Sequence, residues 1–141
     1  AEALVFFDPE RAREAPYLRK RAGQLFSKSR FIAAQFDAYL NDDLWLDLAR
    51  HSNGMAERLR QGLDETARAR LAWKTDANEV FAMLKKSDAE RLRGAGAIFY
   101  EWHAPHTGEG EPHSDEMLAR LVTSFATRED EVDAFLGLLG V

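Results

Sequence analysis

Hydrophobic positions along this chain follow three spacings, and each predicts a different element. Ala3–Phe7 is a short unbroken apolar run, the pattern of a strand buried on both faces. Trp45, Leu48, Ser52, Met55, Leu59 and Leu63 recur every three or four residues, which predicts an amphipathic helix of about five turns. Short runs at Arg70–Lys74, Asn78–Lys85, Ala97–Trp102 and Met117–Ser124 are bounded by turn residues and read as strands.

Polar punctuation fixes the remaining elements. Asp8-Pro9-Glu10 is a helix start, with Asp8 as the cap and Pro9 in the first turn. The helix should run to about Ala22, and Pro16 should kink or split it, because proline has no amide proton to donate. A second helix, Ser29–Leu40, carries apolar residues nearly all round, which predicts that it is sandwiched. Asn41 and Asp42 cap the long helix. Ser87 with Glu90 forms the capping pattern of a short helix that ends at Gly94 and Gly96. Thr127 with Asp130 opens a last helix, whose buried stripe is Val132, Phe135, Leu136 and Leu139. Helices come first, then β-β-α-β-β-α. That order predicts an α+β fold with a small antiparallel or mixed sheet covered by helices.

Composition narrows the function classes. The 141 residues suffice for a buried core. A net charge of −5 gives no global field for nucleic acid, and no apolar run reaches the length of a membrane span. There is no cysteine, which removes disulfides and thiolate metal sites and fits a reducing compartment; the expected location is cytoplasmic. The chain begins on the verge of an apolar strand and lacks an initiator methionine. The expectation is that it starts in the middle of a longer protein, with the rest of that strand's sheet upstream.

Candidate chemistry is sparse. His103, His106 and His113 lie in a segment, His103–Ser114, with two prolines and two glycines. Their spacing matches no helical zinc pattern, and the segment reads as a polar loop with no metal site. His51 reads as a surface or partly buried histidine. The acids at Asp42/Asp43 and Glu129–Glu131 sit at helix starts, where the dipole favours them, and receive no acid–base role. No phosphate-cradling glycine loop and no nucleophile elbow is present. The bend Ala22–Lys28, with Gly23 among Arg19, Lys20, Arg21 and Lys28, could offer backbone N–H groups and cations to an anion. Arg120 stands inside the apolar strand Leu118–Val122. Periodicity alone favours an arginine on an exposed sheet face or paired with an acid. The functional alternative is a planar fork aimed at a carboxylate.

The run from Arg19 to Leu63, RKRAGQLFSKSRFIAAQFDAYLNDDLWLDLARHSNGMAERLRQGL, resembles the segment after the Schiff-base lysine in bacterial low-specificity threonine aldolases. These belong to the aromatic amino acid beta-eliminating lyase/threonine aldolase group, pyridoxal-phosphate enzymes of the aminotransferase fold. Glu2–Pro9 resembles the strand and helix start next to that lysine. Ala77–Phe81 and Arg120-Leu121-Val122-Thr123 resemble two strands of the small C-terminal domain. The resemblance implies that residues 1–28 end the large cofactor domain and connecting helix, and that 29–141 form the small domain. It implies a lyase that cleaves β-hydroxy-α-amino acids, threonine to glycine and acetaldehyde. The alternatives are a β-eliminating lyase on the same scaffold and a stand-alone, non-catalytic interaction domain. Arg120 becomes the candidate for the substrate α-carboxylate, and Lys20 and Lys28 the candidates for the phosphate side of pyridoxal 5'-phosphate. No catalytic residue is expected in this chain, because the Schiff-base lysine is expected upstream of Ala1, and the chain alone is expected to be inactive. The implied partners are a small amino-acid substrate, the N-terminal cofactor domain and a second copy in a homodimer or homotetramer, with no nucleic acid or membrane.

Overall fold

A computed structural model of the protein describes residues 2–103 and 111–141. The chain divides into two compact units, one up to Trp45 and one from Leu46 onward. Each is described by itself.

The first unit is helical. Asp8 accepts the Glu10 amide at 3.0 Å and starts α1, Pro9–Ala12. A separate helix, α2 (Ala15–Arg21), follows with Pro16 in its first turn, so the proline splits the predicted helix at a position where no amide proton is missed. α3 spans Arg30–Leu40. A single turn at Asn41–Asp43 leads onward, with Asp42 and Asp43 both in the left-handed region at φ 50° and 59°. Short polar side chains tolerate that conformation better than most.

Two apolar stretches of this unit find no cover within it. Residues 3–7 form no strand within this chain, and Leu4, Val5 and Phe7 are exposed. An apolar run becomes a strand only when another strand accepts its backbone hydrogen bonds, and none among the described residues pairs with it. Nor is α3 covered by the rest of its own unit. None of its residues is buried, and Phe31 is 58% exposed.

Every buried residue among those described lies in the second unit. α4 (Leu44–Glu65) turns Ser52, Met55, Ala56, Leu59, Gly62 and Leu63 inward, close to the stripe that periodicity predicts. Four strands follow in an antiparallel sheet of spatial order β1-β2-β4-β3: β1 Ala69–Leu71, β2 Glu79–Lys85, β3 Tyr100–Glu101 and β4 Glu116–Val122. Between β2 and β3 lies α5, Lys86–Gly94, and after β4 comes α6, Glu129–Leu138. The outer strands are shorter than their sequence runs. Their pairing continues through single hydrogen bonds, Ala72 N–H to the Phe81 carbonyl at 2.9 Å and Trp102 N–H to the Leu118 carbonyl at 2.8 Å.

Alternation sorts the two sheet faces. Val80, Ala82 and Leu84 of β2 and Met117, Ala119 and Leu121 of β4 join the stripe of α4, Ala89 and Leu92 of α5, and Val132, Leu136 and Leu139 in one core. Helix starts shift by one or two residues from expectation. Lys85 rather than Ser87 precedes α5, and Arg128 rather than Thr127 precedes α6, where the Arg128 amide donates to Glu131 at 2.9 Å. Thr127 instead closes a turn, its hydroxyl accepting the Ser124 amide at 2.9 Å. Among the described residues no helix is long and apolar enough to cross a membrane.

Candidate carboxylate-binding site

β2 and β4 are the central pair of the sheet, and their register decides what meets on the face away from the helical core. Phe81 pairs with Arg120, Met83 with Leu118 and Glu79 with Val122. Glu79 therefore lies diagonally from Arg120, within reach of a long side chain. β3 adds Tyr100 opposite Arg120 from the other side.

This register is pinned just beyond the arginine. The Thr123 amide donates to the Asn78 carbonyl at 3.0 Å, and the Asn78 side-chain amide returns a bond to the Thr123 carbonyl at 2.7 Å. The buried Thr123 hydroxyl donates to the Ser52 carbonyl of α4 at 2.7 Å. A one-residue slip would break all three and turn Arg120 into the core. The asparagine before the apolar run and the RLVT tetrapeptide are thus joined as neighbours at one end of the sheet.

The Arg120 guanidinium is held on two sides. Its Nη2 donates to Glu79 Oε1 in an ion pair, and its central carbon lies 5.1 Å from the centroid of the Trp102 ring. Trp102 meets Phe81 edge-on with centroids 5.8 Å apart, and Phe81 meets Trp73 likewise at 4.8 Å. Such edge-to-face pairs are favourable and orient the rings. The ion pair is about one-third exposed, at 32% for Arg120 and 34% for Glu79. The hydrogen bond from Arg120 holds the Glu79 carboxyl below its ordinary range, against the opposing effect of burial, with the charge of Arg120 adding a smaller push. One donor is idle: Arg120 Nε is buried and has no hydrogen-bond partner among the described residues.

The pairing with an acid matches what periodicity alone favours for Arg120. Periodicity alone does not single out the particular acid or the aromatic platform. Glu79 could have been found from alternation, since it shares a strand face with Phe81. Trp102 could not, because its approach depends on how far β3 extends.

Lys20 and Lys28 belong to the first unit. Both are exposed, and neither is in an ion pair among the described residues. The bend between them is a helix terminus of the Schellman type, with Gly23 at φ 71°. The Gly23 amide donates to the Lys20 carbonyl at 3.1 Å and the Gln24 amide to the Arg19 carbonyl at 3.0 Å. Arg19 Nε also donates to the Gln24 carbonyl at 3.2 Å. The anion-cradling N–H groups expected at this bend are therefore engaged at Ala22, Gly23 and Gln24, because the helix end needs them for its own carbonyls. The cations and the amides of Leu25–Lys28, which donate to nothing among the described residues, remain available there.

The other polar clusters are structural. His51 Nε2 lies 2.7 Å from the Thr127 carbonyl, on an exposed ring. His106 is outside the described residues, and the His113 amide donates to Glu116 at 3.0 Å. Among the described residues no three metal-ligating groups converge.

An antiparallel four-stranded sheet with its helices on one face and an arginine on the other defines the α+β small-domain architecture implied for an aminotransferase-type fold. A threonine aldolase of Leishmania major is similar in structure, with a TM-score of 0.78 and 30% identity, over 91% of this chain and 35% of that one. A low-specificity L-threonine aldolase of Pseudomonas aeruginosa is 38% identical over 109 residues, covering 77% of this chain and 30% of that protein. The enzyme of the same name from a Pseudomonas species is 36% identical over 99 residues, covering 70% of this chain and 29% of that protein. No protein-family model matches the chain. The chain's homologues are low-specificity threonine aldolases, and it spans about 30% of the length of the curated relatives it matches.

Proposed function

We propose that this chain is the C-terminal portion of a pyridoxal-phosphate-dependent lyase that cleaves β-hydroxy-α-amino acids, converting threonine to glycine and acetaldehyde. Residues 1–28 end its large domain, and 29–141 form its small domain. The observation that supports this best is Arg120. It stands in the family's RLVT tetrapeptide on the sheet face opposite the core, with a buried Nε–H that lacks a partner among the described residues. A guanidinium fork with an idle donor suits a two-oxygen acceptor.

The residues present fit the edge of the cofactor site. Lys20 and Lys28 carry charge outside any ion pair among the described residues, which suits the phosphate, while Gly23 and its neighbours offer it no amide donors. The cofactor, when bound, supplies the electron sink for the charge left at Cα as the Cα–Cβ bond breaks. Arg120 orients the substrate by holding its α-carboxylate through two N–H donors, which fixes the amino acid about its Cα. Trp102 and Phe81 keep water from one side of that fork. In the assembled enzyme the exposed apolar side chains of α3 suit contact with a second copy in a dimer or tetramer, and the setting is cytoplasmic.

The test is Arg120→Ala in a full-length protein carrying this segment. Losing a charge-assisted bidentate contact costs roughly 2–4 kcal/mol, which is a rise in amino-acid KM of about 30- to 1,000-fold. Cofactor content, read from its visible absorbance, should stay unchanged. Loss of cofactor with unchanged substrate affinity would refute the assignment.

A further inference from the structure

The contact between Arg120 and Glu79 is incomplete in a way that has a consequence. Carboxylates bind arginine best through two parallel N–H bonds. Glu79 takes only Nη2, and the neighbouring Nε–H is buried without a partner among the described residues. An idle buried donor is unfavourable, so the pair as it stands is poorer than the guanidinium can make. Glu79 is also one-third exposed, so its carboxylate can leave the arginine and return to water without being stranded in the interior. Arg120 does not depend on Glu79 alone for its place. The Trp102 ring lies 5.1 Å from the guanidinium and is braced by Phe81, which pairs with Arg120 across the strands.

We propose that Glu79 is a resident carboxylate that occupies the Arg120 fork until the carboxylate of an incoming amino acid displaces it. The inference rests on the carboxylate-binding reading of Arg120. An amino-acid carboxylate that accepts from both Nη2 and Nε satisfies the donor that Glu79 leaves idle. The exchange therefore trades a one-bond contact for a two-bond contact, while Trp102 holds the plane of the fork. Glu79 sets an affinity threshold: a ligand without a carboxylate has nothing to offer the arginine in exchange. It also keeps the guanidinium neutralised, so that stray anions of poor geometry gain little by binding there.

The experiment is a titration of the 141-residue chain with glycine, followed by NMR at the Arg120 side-chain Nε–H, with amide dispersion as the check on folding. Glu79→Gln keeps a hydrogen-bond acceptor near Arg120 and removes the competing charge. Glycine should bind this variant roughly three- to tenfold more tightly than the parent, since a hydrogen bond to a charged acceptor is worth more than one to a neutral acceptor. Glu79→Ala removes the acceptor and should shift affinity in the same direction, which covers the case in which Glu79→Gln does not fold. Arg120→Gln should abolish binding in every background. Equal or weaker glycine binding by the Glu79 variants, with binding still dependent on Arg120, overturns the resident-carboxylate role and leaves the carboxylate-binding reading standing. Glycine binding that survives Arg120→Gln, or no shift of the Arg120 resonance in any variant at the highest glycine concentration, overturns both.

Discussion

Replacing Asp88 tests whether a buried ionic hub holds the second unit together. Asp88 lies in the first turn of α5, and its side chain is 8% exposed. It accepts from Arg91 at 2.6 Å and from Arg68 at 3.1 Å. Arg91 also donates to the Leu138 carbonyl at the end of α6, so one carboxylate links the approach to β1, α5 and α6. The hydrogen bond from Arg91 holds the Asp88 carboxyl below its ordinary value of 3.8, burial opposes this, and Arg68 adds to the lowering. Asp88→Asn keeps the shape and removes the charge. Two charge-assisted bonds would be worth more in a dry site, but both arginines reach solvent, so the expected loss at neutral pH is about 2 kcal/mol. A carboxyl lowered in the folded state contributes stability that is fully present above 3.8 and disappears as pH falls through the folded value. The gap between parent and variant should therefore narrow as pH falls below 3.8. Urea unfolding of both proteins from neutral pH downward measures it. A gap that is absent at neutral pH, or that stays constant down to the lowest pH with a folded baseline, refutes the reasoning.

Two further substitutions probe packing. Leu63 is fully buried in the stripe of α4, and Leu63→Ala should cost about 2–5 kcal/mol in urea unfolding, the range for a truncated core leucine; a loss below ~1 kcal/mol would mean that the core collapses onto the space. Gly62 faces Leu136 of α6, and a methyl group there would press on Leu136 Cδ1 and stand 2.7 Å from Cδ2 and 3.0 Å from Cγ. Gly62→Ala should destabilise by about 1 kcal/mol, the crowding outweighing the gain in helix propensity. Pairing it with Leu136→Val should recover part of that loss, and strict additivity of the two changes would argue against the contact.

The Arg120 site shows how sequence and structure divide the evidence for function. The RLVT tetrapeptide and the asparagine before β2 are legible as words in the sequence, and their resemblance to threonine aldolases names a chemistry. Their meeting at one end of the sheet is a consequence of the β2–β4 register and the Thr123 hydroxyl bond to α4. That Arg120 is already engaged by Glu79 and stacked near Trp102 follows from the same register, since strand neighbours are distant in sequence. The bend at Gly23 gives the opposite lesson. Its composition reads as an anion cradle, but a helix terminus has carbonyls of its own to satisfy, and these take the amides first.

By itself the sequence determined the order of elements, the stripe of α4, the split at Pro16 and the α+β class, because these depend on local periodicity and on backbone chemistry that acts within a few residues. It could not decide the fate of Ala3–Phe7 or of α3, whose apolar character is the same whether they are covered or exposed. Strand ends, the antiparallel order and the company of Arg120 were decided only by tertiary structure. Each depends on which backbone groups find partners across the sheet, and that is a property of the packed chain rather than of any one segment.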